Sequence, residues 1–253
     1  MNDATSLWFP SWAATSRSSA ALSLFCLPHA GAGPTAYRDW TAGLDEQLDI
    51  IPVQYPGRAA RVGESSETSI RHLAERIADP FLERAGARPF ALFGHSMGAL
   101  VAFELARVLT ANGTPPRHLF VSGQTAPHRY PKGTVHQMSD EDFVRHVVDL
   151  EGTDPDVLAS PTLLEMLLPI LRADYLACET YEFAGEPDLS VDLSVLCGEA
   201  DPTVRIDELG RWSELSTGHT QLRTFSGGHF YFTDHLAEVL DIINNALCPL
   251  ETA

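Results

Sequence analysis

Gly94-His95-Ser96-Met97-Gly98 reads G-x-S-x-G, and its surroundings can turn a common hydroxyl into a nucleophile. A serine attacks poorly until a base takes its proton, and the oxyanion it creates needs donors. The short apolar run Pro89-Phe90-Ala91-Leu92-Phe93 precedes the motif and reads as a buried strand. The segment 99–109 that follows has a strong helical pattern. Strand, sharp turn and helix form the setting of a nucleophile elbow. The glycines let chain segments approach closely, and the helix N-terminus brings free N–H groups beside the serine. A bare G-x-S-x-G is common by chance, so the flanking strand and helix carry the catalytic reading of Ser96.

Enzymes built on such an elbow place an acid and then a histidine later in the chain. Val195-Leu196-Cys197-Gly198-Glu199-Ala200-Asp201-Pro202 is a strand running into a loop with two acids. Asp201 stands where a strand end presents a carboxylate, although an Asp before Pro also starts turns. Glu199 is an alternative orienting acid, and Asp174, in a helical stretch, is a poorer one. Ser226-Gly227-Gly228-His229 follows the last strand, and its glycines let the loop bring His229 towards Ser96. His219 precedes a strand and His235 falls inside the expected last helix, so Ser96, Asp201 and His229 form the economical trio.

The oxyanion requires two backbone donors. One is expected from the N–H of Met97 and the other from the loop Pro28-His29-Ala30-Gly31-Ala32-Gly33, with Ala30 the best choice. This glycine-rich loop lacks the lysine and spacing of a phosphate-binding loop. Tyr55-Pro56-Gly57-Arg58-Ala59-Ala60-Arg61 follows another strand. It is either a surface turn or a ligand-facing segment with two positive charges.

These residues need a scaffold that brings distant loops to one edge. Strands are expected over 22–27, 48–54, 90–93, 118–122, 192–197 and 221–225. Helices are expected over 35–44, 69–84, 99–111, 205–212 and 232–247. That alternation predicts an α/β fold with a mostly parallel sheet covered on both faces, spanning 1–253 as one domain. Segment 125–187 breaks the rhythm and reads as a helical lid. Ser139 with Asp142 caps one of its helices, and Ser160-Pro161 starts another, which Pro169 should break or kink. Leu163, Leu164, Met166, Leu167 and Tyr175 are expected to wall an apolar chamber beneath the lid. His29, Arg58, Met166 and Tyr175 are the candidate substrate contacts. Near the start, Trp8, Phe9 and Trp12 should pin a polar arm to the body.

The chain has 253 residues and a formal charge of −17. Scarce Lys and Arg argue against nucleic acid and anionic membranes as partners. Cys26, Cys178, Cys197 and Cys248 show no metal-type spacing and fit a reducing cytoplasm. The apolar stretch 20–27 is at the lower length limit for a signal peptide and reads equally well as a first core strand, so export is not expected.

Together the pieces Leu27-Pro28-His29-Ala30-Gly31-Ala32-Gly33, Gln54-Tyr55-Pro56-Gly57-Arg58, Leu92-Phe93-Gly94-His95-Ser96-Met97-Gly98-Ala99, Gly198-Glu199-Ala200-Asp201-Pro202 and Gly227-Gly228-His229-Phe230-Tyr231 resemble the stand-alone type II thioesterases of polyketide and nonribosomal peptide synthesis. The resemblance runs from about residue 8 to the final helix. It implies an α/β-hydrolase fold and hydrolysis of acyl thioesters on the phosphopantetheine arm of acyl or peptidyl carrier proteins, removing aberrant units from a synthase. Ser96 would be nucleophile, His229 base then acid, Asp201 the orienting carboxylate, and Met97 and Ala30 the oxyanion donors, with no metal or cofactor. Ala59-Ala60 replace an expected Gly-Asp-like pair, which leaves Arg61 without an assigned role. A generic carboxylesterase or acyltransferase uses the same parts, and a silent acyl-binding protein is the non-enzymatic alternative.

Overall fold

A computed structural model describes residues 3–10, 19–150, 160–185 and 189–248. Six strands appear in chain order: β1 (Leu22–Leu27), β2 (Leu48–Pro52), β3 (Phe90–His95), β4 (His118–Ser122), β5 (Asp192–Gly198) and β6 (Thr220–Phe225). They form one sheet in the order β2-β1-β3-β4-β5-β6, with every neighbouring pair parallel. The described α-helices are α1 (Asp3–Trp8), α2 (Ile70–Ala85), α3 (Met97–Ala111), α4 (Asp140–Asp149), α5 (Pro161–Glu179) and α6 (Leu236–Leu247).

Side chains alternate across a strand, so each strand feeds two cores. Phe25, Leu27 and Leu92 enter one cluster with Ile70, Leu73 and Ile77 of α2 and Leu100 and Phe103 of α3. Leu24, Cys26, Ala91 and Phe93 enter the other, with Tyr37, Trp40 and, from α6, Val239, Leu240 and Ile243. Helices therefore cover both faces, as the alternation of elements predicts. The register aligns Leu27 with Gly94, and His95 with Ser122, so the strands end along one edge. Strand order reverses between β1 and β3, and the crevice outside the strand ends at such a point is where open α/β sheets bind ligands.

Three expected helices are wholly or partly 3-10 turns. Pro34–Ala42 and Ile206–Leu215 are 3-10 throughout. The last helix is preceded by a 3-10 turn, Tyr231–Thr233, and starts only at Leu236, so His235 is its N-cap rather than an interior residue. The tighter winding suits short connectors. The caps fall where expected: Ser139 accepts from the Asp142 N–H, and Ser160 from the Leu163 N–H. Pro169 does not interrupt α5, which is one helix of 19 residues. Pro169 and Glu165 are both exposed, so water can satisfy the Glu165 carbonyl that Pro169 leaves without a donor.

At the N-terminus, Trp8 and Phe9 are buried, and the Phe9 ring meets Phe25 edge-on at 5.5 Å. The Gln54 N–H donates to Trp8 O at 2.8 Å. Trp12 lies outside the described residues, as do parts of the 125–187 segment. Among the described residues no helix is long and apolar enough to cross a membrane, and no cluster of side chains could hold a metal.

Candidate active site

Ser96 joins β3 to α3 with φ 54° and ψ −122°, a left-handed conformation costly for a residue with a Cβ. Its N–H donates to Ser122 O at 2.8 Å and its carbonyl accepts from the Ala99 N–H at 2.9 Å, fixing the turn from both sides. The turn is tight enough to demand both glycines of the motif. A Cβ at Gly94 would lie 2.1 Å from Gly98 O, and one at Gly98 would lie 2.0 Å from Leu27 O. The side chain of Ser96 is half-buried at the edge of the sheet. Ser122, also near the histidines, is fully buried and bonded on both sides, to His95 Nδ1 at 2.9 Å and to Tyr231 Oη at 2.6 Å. It is not available as a nucleophile.

Asp201 follows β5 and His229 follows β6, and their loops meet at the same edge. His229 Nδ1–H donates to Asp201 Oδ2 at 2.7 Å, with both side chains buried. The ionised carboxylate can only accept, so this bond fixes the proton on Nδ1 and leaves Nε2 as the basic nitrogen. Asp201 Oδ1 accepts from the Thr203 N–H at 2.9 Å and the Thr203 hydroxyl at 2.7 Å. The turn reading and the orienting reading of Asp201 therefore coexist, one on each oxygen. Glu199 is exposed and accepts from the Thr224 hydroxyl instead, at 3.2 Å. His219 is exposed, and His235 bonds Ser226 and Glu238.

On the opposite side of Ser96, loop 28–33 is held at almost every peptide. Leu27 O accepts from Tyr37 Oη at 2.7 Å and Pro28 O from Tyr55 Oη at 3.2 Å. The Ala32 N–H donates to His29 O at 3.1 Å. Among the described residues no protein acceptor takes up the Ala30 N–H. Met97 opens α3, and the first N–H groups of a helix have no intrahelical partner. Ala30, Met97, Ser96, His229 and His29 line one cavity of about 350 Å³.

Three imidazoles crowd this end of the sheet. The His95 ring lies 4.9 Å from that of His229 and 5.8 Å from that of His29. Burial holds His95 well below the usual histidine range. Burial, then the charges of His229 and Arg58, lowers His29 to about 3. Both are neutral at physiological pH, so neither places a competing cation beside His229.

The cavity extends under the helical segment, where Val147 and Leu150, then Leu171, Tyr175 and Cys178 of α5, contribute apolar wall. Tyr175 and His29 both line it. Met166 does not: it is 58% exposed on the first half of α5, and Leu163, Leu164 and Leu167 are also absent from the wall. The apolar stretch was legible, but the half of the helix that turns inward is set by the docking of α5 against loop 28–33, α3 and the turn at 135–137. Arg58 is a further correction. It is buried, lies outside the cavity wall, and forms a two-pronged ion pair with Asp174 at 2.9 and 2.8 Å. It is held in this buried pair rather than on a surface turn or facing the cavity. Arg61 grips Glu64 with both prongs and packs 3.9 Å over the Trp8 ring, which gives it a structural role.

Two site residues were missed. Thr203 fixes Asp201 by an Asx-turn, in which the Asp carboxylate accepts from the N–H two residues on, so the Asp201-Pro202 turn signal pointed to it. Gln124, just past β4, lines the cavity, and nothing local distinguishes it in the sequence.

A strained serine at an elbow, an imidazole held by a carboxylate, and loop N–H groups around an apolar-walled cavity are the parts of acyl transfer on an α/β-hydrolase fold. The Thioesterase domain family matches residues 23–247. Thioesterase PikA5 of Streptomyces venezuelae is 38% identical over 231 residues, covering 90% of this chain and 81% of that one. The type II thioesterase BorB from the borrelidin biosynthetic cluster is 40% identical, with a TM-score of 0.80 over 90% of this chain and 91% of that one. RedJ, a thioesterase from the prodiginine pathway of Streptomyces coelicolor, is 36% identical, with a TM-score of 0.87 over 92% of each chain. This chain belongs to the thioesterase family.

Proposed function

We propose that this thioesterase is of the type II, editing kind, releasing misplaced acyl groups from the phosphopantetheine arm of carrier proteins in a polyketide or nonribosomal peptide synthase. Its catalytic residues are Ser96, His229 and Asp201, and the N–H groups of Met97 and Ala30 bind the oxyanion. The observation that carries the reading is the shared cavity: Ser96 and His229 border the same space as the apolar side chains of Leu171 and Tyr175. The relatives, among them a type II thioesterase similar over nine-tenths of both chains, support the substrate class.

Ser96 Oγ attacks the thioester carbon as His229 Nε2 takes its proton. The carbonyl oxygen becomes negative between the two N–H donors, which are fixed before the reaction and need no reorganisation. The C–S bond breaks, the thiol leaves with the proton from His229, and an acyl ester remains on Ser96. Water, deprotonated by His229, attacks that ester and releases the carboxylic acid and the free serine. Asp201 stays ionised throughout and holds the imidazole tautomer. Segment 125–187 serves as the lid over the acyl chamber. No cofactor takes part. The carrier partner and the four unpaired cysteines fit a cytoplasmic site of action.

The test is to mix the protein with a series of acylated carrier proteins and follow deacylation by intact mass. Wild type should strip the acyl group, and Ser96→Ala should lower kcat at least ~10³-fold. Undiminished hydrolysis by purified Ser96→Ala would overturn the assignment. Oxygen esters cleaved as fast as carrier thioesters would favour the carboxylesterase reading instead.

A further inference from the structure

The Arg58–Asp174 pair lies outside the reacting groups, yet its contacts converge on the loop that carries the Ala30 N–H. Asp174 comes from the inward half of α5, and Arg58 from the turn after β2. Asp174 Oδ2 accepts from the Gly31 N–H at 2.8 Å and from Arg58 Nη1 at 2.9 Å, while Oδ1 accepts from Arg58 Nη2 at 2.8 Å. Arg58 Nη1 also donates to Ala32 O at 3.0 Å. One carboxylate and one guanidinium thus hold the Ala30–Gly31 and Ala32–Gly33 peptides, the first of which adjoins the His29–Ala30 peptide that carries the donor. Leu171, one turn before Asp174, packs over the same spot: a Cβ on Gly31 would lie 2.5 Å from Leu171 Cδ2.

The pair is costly to bury. Its side chains are 6% and 1% exposed, and a desolvated ion pair is often no more stable than an apolar pair of the same volume. What an apolar pair cannot supply is an acceptor for the Gly31 N–H and a donor for Ala32 O. Those two bonds fix the peptide planes before and after the Gly31–Ala32 peptide, and a donor N–H loses most of its value when it is tilted away from the oxyanion.

We propose that Asp174 and Arg58 are positioning residues for the oxyanion hole: they aim the Ala30 N–H, and because Asp174 rides on α5, the hole is complete only while the lid helix is docked. The inference rests on the reading of Ser96 and Ala30 given above. It makes the lid a part of the catalytic geometry as well as a cover, so that loss of its docking switches off hydrolysis without blocking entry.

The test uses the full chain with two substitutions chosen for folding. Asp174→Asn keeps an oxygen for the Gly31 N–H but loosens the guanidinium. The double variant Arg58→Met/Asp174→Leu removes both charges together and leaves no lone buried ion. Each is measured for kcat and KM on an acyl-pantetheine thioester. Each is also measured for binding of a thioether analogue, which has no carbonyl, and of a trifluoromethyl ketone analogue, which forms an oxyanion on Ser96. The double variant should lose about 10²-fold in kcat, the scale of one oxyanion donor, and lose trifluoromethyl ketone affinity in parallel. KM and thioether affinity should stay within about threefold, and Asp174→Asn should fall between the double variant and wild type. Retention of wild-type kcat by a folded double variant overturns the proposal. So does an equal loss of thioether and ketone binding, which is what a merely structural pair would give. If the double variant does not fold, Asp174→Asn decides by the same split. Ser96→Ala, run alongside, separates the two levels: if it stays active the catalytic reading fails, whereas an inactive Ser96→Ala with a fully active double variant rejects only the positioning role.

Discussion

The sheet edge and the helical segment above it are held together by different means. Around Ser96 the frame is apolar: β1, β3 and β4 are almost wholly buried between two large clusters, and the elbow is forced by backbone contacts at Gly94 and Gly98. Over the cavity, Phe143, Val147 and Leu171 form a small separate cluster. Ala177 and Cys178, at the end of α5, join one of the large clusters, and the rest of the holding is polar. Glu179 accepts from the Val135 N–H at 2.8 Å, the His136 N–H at 2.9 Å and His136 Nδ1 at 2.5 Å. Arg172 reaches His136 O at 2.7 Å, and Asp174 reaches the loop both directly, at the Gly31 N–H, and through Arg58. A region fixed by broad burial resists local opening, whereas one fixed by a few directional bonds can open when one is lost. The difference assigns rigidity to the nucleophile and adjustability to the cover.

Experiments can press on either side of that contrast. The largest effect should come from the rigid side. Asp201→Asn should lower kcat ~10⁴-fold by allowing the wrong imidazole tautomer, while Glu199→Gln stays near wild type, as read by thiol release. Equal losses from the two substitutions would put the orienting acid in doubt. On the other side, Glu179→Leu leaves two N–H groups near 135 and 136 without their acceptor. It should weaken the helical cover by about 3 kcal/mol. Hydrogen exchange should then rise in α4 and α5 but not in β1 or β3; a uniform rise would mean the two regions open as one unit.

Acid should act mainly on the sheet. Burial lowers His118 to about 4, and it bonds Ser194 at 2.9 Å. A histidine depressed in the folded state takes up its proton more readily when unfolded. Its stabilising effect is therefore complete above the unfolded value near 6.5 and is lost as pH falls towards 4. Between pH 7 and 5 this one group should account for about 1–2 kcal/mol, so the decline in melting temperature over that range should be shallower in His118→Gln than in wild type. The smallest effect concerns the elbow. Ser96→Gly relieves the strain at φ 54° that Ser96→Ala retains, so the glycine variant should be more stable than the alanine variant by about 1 kcal/mol, with both inactive. Identical denaturation midpoints would show that the turn stores no strain.

The six strands, the caps at Ser139 and Ser160 and the elbow were all legible along the chain, because each follows from neighbours a few residues apart: alternating burial, a capping hydroxyl, glycines around a serine. Asp201 and His229 were legible through chain order and the strand ends that carry them. Arg58 misled because a cation in a turn looks solvent-facing until its partner 116 residues away is known. Met166 misled because an apolar helix stretch does not say which of its turns faces in.

What the amino-acid order determined by itself was the set of elements and the chemistry at their ends, since both arise from short-range geometry and residue type. What only the tertiary structure decided was which side chains share a space. The inward half of α5, the burial of Arg58 against Asp174 and the meeting of His229 with Asp201 depend on how separate segments pack, and desolvation then turns those meetings into fixed contacts.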